Sequence, residues 1–317
     1  MKQRAEWLVL ILAVAMTAYA QDLRKVVSIS TPARIGRVSV CGSTGLAAGL
    51  GDGGSVHVWR MPSGEAVSTR PAEEGVSALA CSPDGKWVAI GKRDGSVLIT
   101  DICGKSARTL PAASQRISDM EFSPDGSLLA ARVEGAPARL WNAVQGTLVA
   151  VLKTDFGGSE GMAFSPDSTL FATADGDTAV RIYDGKGKLK TTYSGFLLEP
   201  FTIAFLDNKQ IVVGGADRML TILDASDAHL VRQLAKQPDP IFAIAVLPGG
   251  TSLCSLQIDA VGLSKFKTSL WDVRSGSQRE LAVDGSLLVG VGTSAGHKGM
   301  LFTADSDSSV TAWEFSN

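Results

Sequence analysis

The chain has 317 residues, 45% of them hydrophobic and 20% charged, with a formal net charge of −2. This is enough for a sizeable core, and the proportions are those of an ordinary folded soluble chain rather than a disordered one. No basic excess exists to neutralise a phosphate backbone, so nucleic acid is not an expected partner.

Lys2 and Arg4 give the N-terminus a positive start, Trp7 to Met16 is an apolar run, and Ala18-Tyr19-Ala20 offers small residues where a signal peptidase reads. This is the layout of a secretory signal peptide over residues 1–20. An uncleaved anchor is the rival reading, but the run falls short of the ~20 apolar residues a span needs. The mature chain, residues 21–317, is expected to be exported, periplasmic or secreted, monomeric, and not inserted in a membrane.

Export permits disulfides. Cys41, Cys81, Cys103 and Cys254 have neither the tight spacing nor the neighbouring histidines of a zinc site. Cys41 and Cys81 align with Phe122, Phe164, Phe205 and Val246 of later repeats. They read first as small buried apolar residues; a Cys41–Cys81 bridge is the alternative.

Self-similarity organises the rest. Ser82-Pro83-Asp84-Gly85 recurs as Ser123-Pro124-Asp125-Gly126 and, decayed, as Ser165-Pro166-Asp167-Ser168. A second marker, an apolar alternation with a closing pair, ends at Trp59-Arg60, Thr100-Asp101, Trp141-Asn142, Tyr183-Asp184, Leu223-Asp224, Trp271-Asp272 and Trp313-Glu314. Within each unit, proline pre-sets φ and glycine accepts positive φ, making tight turns between short strands. Ile117 to Phe122, Leu128 to Ala131, Val97 to Thr100 and Leu148 to Leu152 illustrate the four strands. Four antiparallel strands per unit is the grammar of a propeller blade. The predicted fold is therefore all-β, a seven-bladed β-propeller. Its blades are expected at about 34–72, 73–113, 114–155, 156–196, 197–237, 238–283 and 284–317. The last unit lacks a fourth strand, and Leu23 to Ile29 is a strand without a unit, so the N-terminal strand is expected to close the ring.

These residues resemble the WD-repeat β-propeller family over about residues 23–317. Only Trp271-Asp272 is a literal Trp-Asp pair, and the family's Gly-His before the first strand is missing, Gly296-His297 falling elsewhere. The buried Asp-His-Ser-Trp network of the family is therefore not expected. The turn acids Asp52, Asp94, Asp177, Asp217 and Asp307 are left without that histidine.

Chemistry is sparse. His57, His229 and His297 are the only natural bases, and none shares a motif with a serine or cysteine. His57 alternates with Val56 and Val58 and reads as a surface strand residue. The glycine runs at Gly49 and Gly290 open no helix and so cannot cradle phosphate. No catalytic residue, metal or cofactor is implied. In the family, the segment before each first strand opens on one face near the channel. The matching residues are Arg34, Glu74, Gln115, Glu160, Glu199, Asp239 and Asp284, a candidate rim with negative bias; ordinary polar loops are the plainer reading. Phe196-Leu197-Leu198 is either an exposed apolar patch or a contact with the next blade. The resemblance implies a non-catalytic scaffold that binds a protein partner through these loops. The alternative is an exported propeller enzyme with a metal or quinone site in the channel.

Overall fold

The computed structural model describes residues 23–42, 44–155, 157–258, 266–281, 287–293, 299–304 and 308–315. The signal-peptide segment, Asp284, His297 and Asp307 lie outside the described residues.

Strand β1 (Leu23–Ser30) comes first. Blade 1 follows as β2 (Ile35–Val40), β3 (Leu46–Gly51), β4 (Val56–Arg60) and β5 (Glu65–Arg70). Blade 2 is β6 (Val76–Cys81), β7 (Trp87–Lys92), β8 (Val97–Asp101) and β9 (Ala107–Leu110). Blade 3 is β10 (Ile117–Phe122), β11 (Leu128–Val133), β12 (Ala136–Asn142) and β13 (Thr147–Val151). Blade 4 is β14 (Ser159–Phe164), β15 (Leu170–Asp175), β16 (Val180–Asp184) and β17 (Leu189–Tyr193). Blade 5 is β18 (Pro200–Phe205), β19 (Gln210–Gly215), β20 (Leu220–Asp224) and β21 (Leu230–Gln233). Blade 6 is β22 (Ile241–Val246), β23 (Ser252–Ile258), β24 (Phe266–Asp272) and β25 (Gln278–Leu281). Blade 7 is β26 (Leu287–Thr293), β27 (Gly299–Ala304) and β28 (Ser309–Phe315), completed by β1 in the order β1-β28-β27-β26. The result is a seven-bladed propeller of four-stranded antiparallel sheets. The first strands face the axis, and β2 lies against both β6 and β26, which closes the ring.

The repeated turns show why the sequence folds locally as it does. Ser82 Oγ donates to Asp84 Oδ1 at 2.6 Å and accepts from Trp87 N–H at 2.9 Å, while Gly85 takes φ 68°. Ser123 and Asp125 repeat this at 2.6 Å, and Ser165 and Asp167 at 2.7 Å. In the decayed copy Ser168 occupies the glycine position with φ 63°, a conformation that disfavours a Cβ. Its hydroxyl accepts Asp125 N–H from the preceding blade at 3.0 Å, an inter-blade bond glycine cannot supply.

Cys41 and Cys81 form a disulfide, Cα–Cα 5.0 Å, which corrects their reading as unbridged apolar residues. The reason is register. Cys41 N–H donates to Leu46 O as Ser82 N–H does to Trp87 O, so Cys41 aligns with Ser82, one place past the Cys81 position. That single-residue offset brings the two side chains together across the first seam. The loop they close is 40 residues in sequence separation; constraining it stabilises the fold by about 2–4 kcal/mol.

His57 is also not a surface residue. It is 4% exposed, its Nε2 lies 3.0 Å from Ser55 Oγ, and its ring stacks on Trp59. A third strand is covered by blades on both faces, so alternation along it does not separate inside from outside. Burial lowers the His57 pKa.

Fragments of a buried polar network do exist. Trp271 Nε1 donates to Ser255 Oγ at 2.9 Å and Trp313 Nε1 to Thr303 Oγ1 at 3.0 Å. In blade 4 arginine replaces histidine as the partner of the turn acid, Arg181 Nη2 bonding Asp177 Oδ2 at 2.6 Å.

Candidate functional site

In blades 1 to 5 the turn between second and third strands and the loop entering the first strand share one face of the ring; the other turns share the opposite face. Five of these pairs are tied by the same backbone bond. Asp52, Arg93, Glu134, Gly176 and Ala216 donate N–H to the carbonyls of Arg34, Gly75, Arg116, Gly158 and Glu199 at 2.7–2.9 Å. These carbonyl residues are therefore the true structural equivalents, and they carry both signs of charge.

Arg34, Glu74 and Gln115 are exposed on this face, and Glu160, Glu199 and Asp239 are partly buried there. Arginines and lysines lie among them on the same face. Glu160 accepts from Arg132 at 3.4 Å, Arg116 reaches Glu134 at 3.8 Å, and Glu73 pairs with Lys92. Burial, with the Glu160 charge beside it, raises the Glu199 pKa. Phe196 is turned inward, 9% exposed, with its ring edge-on to Tyr193 at 5.1 Å, so it does not belong to a binding rim. Its neighbours take that place, Leu197 at 93% and Leu198 at 52% exposed.

A regularity invisible in the sequence sets the inner edge of this face. Every first strand carries a β-bulge near its start, at Gly36, Ser77, Ser118, Glu160, Phe201, Phe242 and Val289. A bulge re-aims its side chain and often stands beside a functional site. Here blades 1 to 3 present glycine and serine, whereas blades 5 and 6 present two phenylalanines. Phe201 and Phe242 stack with centroids 5.0 Å apart, and Phe242 is 41% exposed. The face thus divides. Over blades 1 to 3 lies a polar concavity of about 910 Å³, where Arg37, Lys92, Arg93 and Arg116 face Asp52, Glu74 and Asp94. Over blades 5 and 6 the Phe201–Phe242 stack, with Leu197 and Leu198, adds an apolar sector among the charged loops.

The channel beneath holds its own charges. Arg37 of blade 1 pairs with Asp119 of blade 3. Desolvation, with the Arg132 charge, lowers the Arg37 pKa to about 10. Glu121 lies among Met120, Met162 and Ile244, and burial pushes its carboxyl up to about 8 against the opposing bond from Phe164 N–H. Because the folded pKa is raised, Glu121's contribution is fully present below about 4.5 and is lost as pH rises through about 8. Glu121→Gln is therefore expected to flatten the stability profile in that window. The slope removed is at most about 1.4 kcal/mol per pH unit, measurable as Tm against pH. A profile identical to that of the unaltered protein would show that Glu121 ionises freely.

Among the described residues, the one trio of ligand-type side chains close enough to share a cation is Asp224, Asp227 and His229. It lies in the turn between β20 and β21, on the face opposite the channel mouth just described. His229 Nδ1 sits 2.6 Å from Asp227 Oδ1, and that bond raises the His229 pKa. The acids there cap their own turn, Asp224 accepting from Ser226 N–H at 2.8 Å. No described helix is long and apolar enough to cross a membrane.

Two segments of the chain, residues 64–101 and 146–184, match the family model "WD domain, G-beta repeat". Each runs from an outer strand through the third strand of the next blade. The chain is similar to actin-interacting protein 1-2 of Arabidopsis thaliana, 32% identical over 50% of this chain and 27% of the relative. An uncharacterized WD repeat-containing protein of Synechocystis sp. is 31% identical over 33% of this chain and 31% of its own length. The chromatin assembly factor 1 subunit FAS2 homolog of Oryza sativa is 26% identical over 67% of this chain and 46% of its own. The chain thus spans less than half of each of these relatives. Among solved structures, the WD40 β-propeller domain of Doa1 superposes with a TM-score of 0.75 at 15% identity, covering 92% of this chain and 97% of that one. That likeness speaks to the fold.

Proposed function

We propose that this propeller is a non-catalytic scaffold that binds a protein partner on the face of the inter-blade loops. The observation that carries the reading is the exposed apolar sector of that face, the Phe201–Phe242 stack together with Leu197 and Leu198. Large apolar side chains in water mark interaction surfaces, and aromatic anchors supply most of the energy of such contacts. The polar concavity over blades 1 to 3 then supplies orientation rather than affinity. One relative is named for its interaction with actin, which is compatible with this reading. The pairing of Arg37 with Asp119 favours it over a metal or quinone site in the channel, because that carboxylate is already neutralised. The Cys41–Cys81 bridge supports export to an oxidising compartment, periplasmic or extracellular.

The test is capture of a partner by crosslinking in the native host, followed by affinity measurement with variants. Leu197→Ala with Phe242→Ala is expected to weaken binding about tenfold or more, since each anchor is worth about 1 kcal/mol or more. Val144→Ala, 67% exposed on the opposite face, serves as control. Equal affinity for all three proteins overturns the assignment of this face.

A further inference from the structure

The seams between blades are closed by a repeated device. On the outer strand, or just past it, an apolar side chain stands opposite one place in the third strand. Val97 faces Leu110, Val180 faces Tyr193, Thr268 faces Leu281 and Val310 faces Ile29. Leu152 and Leu234 reach the same place by donating N–H to Ala138 and Leu220. Each of these residues belongs to, or packs against, an inter-blade core cluster. Among the described residues blade 1 alone departs, with Arg70 facing Val56.

Where the apolar residue is missing, a cleft of about 520 Å³ opens down the outer wall between blades 1 and 2. Its floor is Val56, Val58, Val88 and Ile90, all buried. The same seam is the one joined by the Cys41–Cys81 bridge. A covalent bond adds to the side-chain contacts of this seam, where Val56, Val58, Leu79, Val88 and Ile90 share one core cluster, so the remaining space need not be filled for the ring to stay closed. Arg70 stands in the cleft wall, 3.7 Å from Glu73, and Glu73 is already paired with Lys92. Two cations therefore share one carboxylate, and the guanidinium keeps donors to offer a second anion.

We propose that this cleft is a binding site for a small aliphatic carboxylate, its chain on the valine and isoleucine floor and its head on Arg70. The volume lies in the range of small-molecule pockets, roughly 300–1,000 Å³. The floor rewards removal of an apolar chain from water, and a guanidinium matches a carboxylate with paired donors. The proposal does not rest on the partner-binding reading, although the cleft meets the concavity of that face at Ala72 and at the Glu73–Lys92 pair.

Calorimetric titration of the full mature chain with decanoate, decanol and decyltrimethylammonium tests the proposal. Decanoate is expected to bind saturably, at least tenfold tighter than the cation. Arg70→Gln is expected to reduce decanoate binding tenfold or more while leaving decanol binding unchanged. Arg70→Leu, which restores the side chain of the other seams, is expected to abolish binding of both and to raise Tm. Cys103 is exposed at the cleft wall, so saturating decanoate is also expected to slow its alkylation. Decanoate binding no tighter than that of the cation, or undiminished in a folded Arg70→Leu protein, overturns the proposal.

Discussion

Deleting residues 23–30 is expected to destabilise the whole ring by about 5 kcal/mol or more, lowering Tm by about 10 °C or more. β1 is the fourth strand of blade 7 and pairs with β28 from Leu23 opposite Phe315 to Ser30 opposite Ser309. It also closes the seam to blade 1. Ile29 is buried in the cluster that contains Ile35, Val38 and Trp59, and Val27 packs against it. Without β1, β28 becomes a bare edge and that cluster opens to water. A proline scan localises the effect. Thr31 N–H donates to Ser308 O, and hydrogen-bonded pairs alternate along an antiparallel ladder. Counting back in the printed register places Val27 in a hydrogen-bonded pair with Ala312, whereas Val26 falls in the bulge between Lys25 and Val27. Val27→Pro should therefore cost much more than Val26→Pro, because bulges tolerate a missing donor. Thermal melts of the three variants decide it. A deletion that melts with the full-length protein would reduce β1 to a tether.

The contrast between β1 and the binding face shows what a linear sequence carries. Turn chemistry is local, so Ser82-Pro83-Asp84-Gly85 announces its turn wherever it stands, and its recurrence gives the period and the blade count. Ring closure follows from strand arithmetic. The bulges are a matter of register, and Gly36, Ser77, Ser118, Glu160, Phe201 and Phe242 share no side-chain property that would mark them. For the same reason Glu74 and Gln115 stand one place and Glu160 two places out of step with the equivalent positions, which hold Arg34, Gly75, Arg116, Gly158 and Glu199. Cys41 sits one step past the Cys81 position, a shift of register that the sequence does not mark. Phe196 and Leu197 are equally apolar neighbours, and only the curvature of the loop decides which is buried. The open seam at Arg70 depends on register between blades, and an arginine in an outer strand has no meaning of its own in the sequence.

Arg181→Met is expected to cost about 3–5 kcal/mol, because it strands a buried carboxylate. Arg181 is 6% exposed and Asp175 is fully buried. The guanidinium bonds Asp175 Oδ2 at 2.7 Å, Asp177 Oδ2 at 2.6 Å and Asp155 Oδ2 at 3.0 Å. Ser159 and Thr173 hydroxyls complete the shell of Asp175 at 2.8 and 3.0 Å. Burial already raises the Asp175 pKa, with Arg181 the main opposing influence. Removing the arginine raises it further, and a raised carboxyl pKa stabilises the fold at low pH and loses that contribution as pH rises. The deficit of Arg181→Met should therefore shrink as pH falls toward 4.

Asp175→Asn in the same background should recover part of the loss at neutral pH, since it removes the unpaired charge; the two substitutions will not add. The consequence reaches the binding face. Asp155 lies in the loop entering blade 4 and Asp177 in the turn after β15, and Asp155 N–H also bonds Asp177 Oδ2 at 2.9 Å. Arg181 thus fixes two of the loops that border Glu160 and its bulge. Arg181→Met should weaken partner binding at temperatures where the ring is still folded, whereas Arg181→Lys, which keeps the charge but not the fork, should fall between. A variant with a loss below about 1 kcal/mol at every pH would show that water replaces the guanidinium without penalty, and that the loops of blade 4 hold their shape by backbone bonds alone.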